Sequence, residues 1–154
     1  MKIRSFLSAA FCCLVPVVAI FAQVEPKFDF YARGDYRPGV PRPQTFLRYD
    51  VGEHHTTYAQ MEKVIDEIAK AAPDRVKVFD IGLTPEYRMQ HIVAISSPEN
   101  MARLDEIKAN IARLTDPRKT TRAEAEQIAR TMPSVAWMAY TIHGNESSSF
   151  EAMM

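Results

Sequence analysis

His143 and Glu146 stand three positions apart in the stretch Ile142-His143-Gly144-Asn145-Glu146. An imidazole nitrogen and a carboxylate oxygen are two of the three protein donors that a catalytic zinc takes in a His2Glu set. Gly144 lies between them and has no Cβ, so the chain can bend tightly enough to aim both side chains at one point. By spacing alone, H-x-x-E equally describes a surface turn carrying two unrelated polar residues. The other histidines offer less. His54 and His55 are adjacent, so in a strand they point to opposite faces and in a loop they have no fixed geometry. His91 falls inside a strand-like run and reads as a hydrogen-bonded structural histidine.

A donor pair needs a scaffold. Residues 135–142 precede it without a charge and are rich in aromatic and β-branched types. That composition predicts a strand covered on both faces, as in the middle of an α/β sheet. Gly144-Asn145 then signals a turn, which puts the pair where a strand ends and a loop begins, the usual place for ligands in such a sheet. Ser147-Ser148-Ser149 is a good helix start, and residues 150–154 carry the chain one turn into a new helix.

The preceding elements follow from periodicity. Thr57 and Gln60 form a capping box ahead of Tyr58, Met61, Ile65, Ile68 and Ala72 at helical spacing, and Pro73 closes that helix. Residues 76–82 and 89–96 are strand candidates; the Pro-containing connection between them favours an antiparallel pair. Ser97-Pro98-Glu99-Asn100 makes a turn and cap. Met101, Leu104, Ile107, Ile111 and Leu114 predict one amphipathic helix, broken at Asp116-Pro117. A second capping box, Thr121 with Glu124, opens a helix with Ala125, Ile128, Ala129 and Met132 inward, stopped at Pro133. The fold class is therefore α/β: a partial mixed sheet with flanking helices.

The chain has 154 residues and a formal net charge of zero. That length suits one small domain, and nothing in the balance draws it to nucleic acid. Lys2 and Arg4 precede an uncharged run over residues 5–24 that closes at Ala22, the pattern of a cleaved signal peptide over 1–22. An uncleaved membrane anchor is the competing reading, which Pro16 and the short apolar core disfavour. The expected location is thus secreted or periplasmic, with no stable membrane association after cleavage. Both cysteines, Cys12 and Cys13, would leave with the leader, which excludes a thiol nucleophile and disulfides from the remainder. Loss of Lys2 and Arg4 leaves 17 basic against 19 acidic side chains, a charge of about −2. Residues 23–45, rich in Pro, Arg, Gly, Tyr and Asp, form an extended N-terminal arm.

From about Phe46 onward the chain resembles the start of an M14-family zinc carboxypeptidase of the exported bacterial branch. The likeness is carried by Tyr58-Ala59-Gln60-Met61, Asp74-Arg75-Val76, Ile81-Gly82-Leu83-Thr84-Pro85-Glu86-Tyr87-Arg88, Ile95-Ser96-Ser97-Pro98-Glu99-Asn100, Leu114-Thr115-Asp116-Pro117-Arg118 and Ile142-His143-Gly144-Asn145-Glu146. It implies that residues 46–154 are an incomplete M14-like catalytic domain, that His143 and Glu146 are its first two ligands to one Zn2+, and that the substrate is a peptide or protein C-terminus. The family's third ligand, a later histidine, and its general-base glutamate are expected beyond Met154, so no catalytic residue is assigned within the chain. Many relatives carry an arginine where Asn145 stands, and Asn145 is given no role. Arg88 matches a family arginine, with a structural ion pair equally in view. The implied activity is zinc-dependent peptide hydrolysis, with this chain alone expected to be inert. The alternative is a non-catalytic binding module that keeps the H-x-x-E turn.

Overall fold

The computed structural model describes residues 28, 29 and 31–154; residues 1–22, expected to be a signal peptide, lie outside them. Two compact units divide the chain, residues 1–35 and 36–154. In the first, the Asp29 carboxylate accepts the Tyr31 N–H at 2.8 Å and Arg33 stacks over the Phe28 ring. The second holds every helix and strand found among the described residues: α1 (Gln44–Leu47), α2 (Tyr58–Ala71), β1 (Val76–Leu83), β2 (Met89–Ile95), α3 (Pro98–Ala102), α4 (Leu104–Thr115), α5 (Arg122–Thr131) and α6 (Ser148–Met153). None of these helices is long and apolar enough to cross a membrane.

α2 is the centre of the packing. Its first turn is closed by the expected capping box: the Thr57 side chain accepts the Gln60 N–H while the Gln60 side chain accepts the Thr57 N–H at 3.0 Å. Two donors that a helix start would otherwise leave orphaned are thus satisfied reciprocally. Met61 and Ile65 on its apolar stripe are buried and form a cluster with Phe150 of α6. Tyr58, Val78, Val93, Met153 and Met154 pack around that cluster. Val64, outside the expected stripe, has no exposed surface at all. Full burial of an aliphatic side chain of this size is worth about 1.5–3 kcal/mol.

β1 and β2 pair antiparallel, as the sequence predicts, with Val78 opposite Val93 and Asp80 opposite His91. A register shift between Asp80 and Gly82 leaves Ile81 unpaired, and Gly82 takes up the irregularity at φ 128°. Val78 and Val93 face α2. On the other face Lys108 of α4 reaches over the Phe79 ring at 5.4 Å. The Thr121–Glu124 capping box forms as expected. α5 then packs on α4, joined by the Arg113–Glu124 ion pair at 3.0 Å.

Two expectations are corrected. The helix predicted through Met101 to Leu114 is two helices: Arg103 leaves helical geometry (φ −114°), and its N–H turns back to the carbonyls of Asn100 and Met101. Apolar spacing is continuous across that break, so periodicity could not reveal it. Residues 135–142, expected to be a buried central strand, are neither strand nor buried. Val135, Trp137, Met138 and Ile142 are exposed, Trp137 to 73%. A strand exists through its ladder, and the sheet of the described residues is the β1–β2 pair alone. The apolar composition states a tendency to be covered; it does not supply the neighbour. The architecture is α/β all the same, a small antiparallel sheet with α2 packed on one face.

Candidate metal centre

The 143–146 turn is built by its own backbone. The Gly144 N–H donates to the Thr141 carbonyl at 3.2 Å and the Asn145 N–H to the His143 carbonyl at 2.7 Å. Gly144 adopts φ +66°, in the left-handed region where a residue without a Cβ has no steric penalty. Thr141, one step earlier, has φ 54° with a branched side chain; such a conformation is uncommon outside Gly, Asn and Asp, and it marks where the extended segment is bent into the turn.

The result is the contact that the spacing suggested. His143 Nδ1 and Glu146 Oε1 lie 2.8 Å apart, with their side chains 74% and 45% exposed. Two donors held about 2.0–2.2 Å from one tetrahedral zinc stand ~3.3 Å from each other. The pair, hydrogen-bonded at 2.8 Å, is about half an ångström closer than a shared ion requires, so the two side chains would have to part slightly to take one. Donor chemistry fits as well, since a neutral imidazole nitrogen and a carboxylate oxygen are both good zinc donors. Among the described residues no group of three His, Cys, Asp or Glu side chains is placed to hold a metal. The turn brings together two candidate donors, His143 and Glu146.

What anchors this turn is α6, whose first residue lies two positions after Glu146. Phe150 is buried between Met61 and Ile65. Glu151 Oε1 accepts the backbone N–H of Thr56 at 2.6 Å, and Thr56 itself is fully buried just before the start of α2. Tyr49 Oη and Thr56 Oγ1 complete the joint at 3.2 Å. Sequence reasoning placed a helix here but gave Phe150 and Glu151 no part. The 150, 153, 154 apolar spacing was the available signal for Phe150. The Glu151–Thr56 bond spans 95 positions and has none.

The other candidates lie elsewhere. His54 meets the Tyr49 ring edge-on at 5.1 Å and His55 the Phe150 ring at 5.8 Å, both as packing contacts. His91 is hydrogen-bonded between Glu62 and Asp80, as a structural histidine would be. Arg88 pairs with Glu86 at 2.7 Å in the exposed hairpin loop. Asn145 sits between the two donors in sequence, and its backbone serves the turn.

Compared with known proteins, residues 61–154, more than half of the chain, match the family model Peptidase M14, described as zinc carboxypeptidase. No curated protein and no solved structure matches.

Proposed function

Because the chain belongs to the zinc carboxypeptidase family Peptidase M14, we propose that its 143–146 turn is the zinc-donating part of a site that hydrolyses peptide bonds at the C-termini of peptides and proteins. The observation that carries this reading is the 2.8 Å approach of His143 Nδ1 to Glu146 Oε1 across the Gly144 turn. His143 would present its Nδ1 and Glu146 one carboxylate oxygen. Zinc bound by such a set acts as a Lewis acid and lowers the pKa of its bound water to about 7. What the chain itself does is hold the donors. Gly144 sets the bend, α6 ties the turn to α2, and the exposure of both side chains leaves the ion reachable from solvent.

With two protein donors among the described residues, this chain binds zinc weakly and turns over no peptide. Its export rests on the basic, then apolar, then small-residue order of residues 1–22. Membership of the exported bacterial branch belongs to the same proposal.

The test is a zinc competition titration against a chromogenic chelator, run beside a carboxypeptidase assay. The expected outcome is one weak site in the wild-type chain, abolished in the double variant His143→Ala/Glu146→Ala, with no turnover in either. Unchanged zinc binding in the double variant refutes the donor assignment. Zinc-dependent turnover by the wild-type chain refutes its inertness.

A further inference from the structure

His91 of β2 has a carboxylate on each ring nitrogen: Asp80 Oδ1 of β1 lies 2.8 Å from Nδ1, and Glu62 Oε1 of α2 lies 2.9 Å from Nε2. A neutral imidazole carries one N–H and one lone pair. It can donate to one of these carboxylates and must turn its lone pair on the other at hydrogen-bond distance. Both contacts become favourable only with one more proton. The choice of where that proton resides is decided by ordinary acidities. At pH 7, protonating an imidazole of pKa about 6.5 costs roughly half a pH unit, against about 3 for a carboxylate of pKa about 4. The proton belongs on the ring.

The surroundings agree. From α2, Glu62 faces the ring directly, while Tyr58 stands beyond it with its hydroxyl 3.4 Å from Glu62 Oε1 and donating to the Met89 carbonyl. Asp66 of α2 adds negative charge near Tyr58. From β1 the facing group is Asp80, directly opposite in the ladder. Arg88, in the hairpin loop, acts on the Tyr58 hydroxyl and pairs with Glu86. His91 thus faces two carboxylates, and its side chain is only 20% exposed. The Glu62 hydrogen bond is the largest influence on it, followed by partial burial, which opposes protonation, and then by the Asp80 bond; together they hold the imidazole above its usual range.

Asp80–His91 is the ladder pair next to Val78–Val93 on the same face, the face that rests on α2. The charged bridge therefore closes the rim of the apolar joint between helix and hairpin. We propose that His91, carrying both ring protons, is a pH-released clasp that fastens α2 to the β1–β2 hairpin and lets go when it loses one of them. The sign follows from linkage. A histidine held more basic in the folded state stabilises the fold fully below its unfolded value of about 6.5, and that contribution is lost as the pH rises through the folded-state value. The joint is tight in mild acid and loosens in alkali. Nothing in this depends on the metal-centre reading.

The test is imidazole-resolved 15N NMR on the full chain, with His91→Gln and Glu62→Gln beside the wild type. In the wild type His91 is expected to show both nitrogens protonated at pH 7 and a midpoint above about 6.5. In Glu62→Gln the midpoint falls. In urea unfolding, the stability advantage of wild type over His91→Gln is present at pH 6 and shrinks by pH 9. The folding equilibrium changes about tenfold for each pH unit by which the folded-state midpoint exceeds the unfolded one. A single-proton tautomer at pH 7, a midpoint at or below 6.5, or a midpoint indifferent to Glu62→Gln overturns the proposal. Should His91→Gln not fold, the wild-type and Glu62→Gln titrations decide.

Discussion

Phe150→Ala tests whether the donor turn is positioned by α6. Phe150 keeps 9% of its exposure and lies between Met61 and Ile65. Truncating a deeply buried Phe costs about 3–5 kcal/mol when the surroundings stay in place and a cavity remains. Here they need not stay. α6 has six residues, too few to be helical by its own hydrogen bonds, so its order comes entirely from docking. Once Phe150 is gone, the remaining ties are the packing of Met153 and Met154 on the α2 cluster and the Glu151–Thr56 bond, the latter worth about 1.5–3 kcal/mol as a hydrogen bond to a charged group. Undocking α6 from α2 therefore becomes easier by at least the transfer term of the ring, about 2–3 kcal/mol. That corresponds to ~30- to 150-fold faster exchange. The assay is native-state hydrogen exchange on the amides of α6, with those of α5 as the internal control, since α5 packs on α4. Selective acceleration in α6, accompanied by weaker zinc binding, is the expected result. Equal acceleration in α5 and α6, or an α6 already unprotected in the wild type, would refute the reasoning.

Two further outcomes follow from the same structure. Thr57→Ala removes the hydroxyl half of the α2 capping box and should cost about 1 kcal/mol in urea unfolding, within a range of roughly 0.5–2; Thr57→Ser should recover most of it. Trp137→Ser replaces an exposed indole, so unfolding free energy should change by less than about 0.5 kcal/mol. Sedimentation should show reduced self-association at high concentration, because exposed apolar clusters drive it; a large stability loss would mean that Trp137 is covered.

The elements legible in the sequence were those with local causes. Both capping boxes are determined by residues three apart, and both form. β1 and β2 are consecutive and joined by a short Pro-containing loop, so their pairing needs no distant information. His91 was read as structural and is. Gly144 signalled a bend, and the bend brings His143 to Glu146. What local pattern could not reveal was anything depending on a partner. The run 135–142 has the composition of a covered strand, and composition carries no address for the strand beside it. Arg103 interrupts a helix whose apolar spacing continues through it. Val64 is the most buried residue of α2 yet fell outside the stripe, because a helix packed on several sides buries more than one narrow band.

The 143–146 turn was expected to take its position from the strand before it, and takes it from the helix after it. Residues 135–142 have no ladder to hold them, so they cannot transmit a position to His143. α6 can, because Phe150 enters the α2 cluster while Glu151 grips the backbone just ahead of α2, two independent contacts on adjacent residues. One apolar contact would leave a short helix free to roll about its axis. One hydrogen bond would leave it free to tilt. Together they fix both motions, and Glu146 is only two residues from the first turn of that helix. The same helix α2 receives the hairpin through Val78, Val93 and the His91 bridge. The hairpin and the 143–146 turn are therefore each referenced to α2.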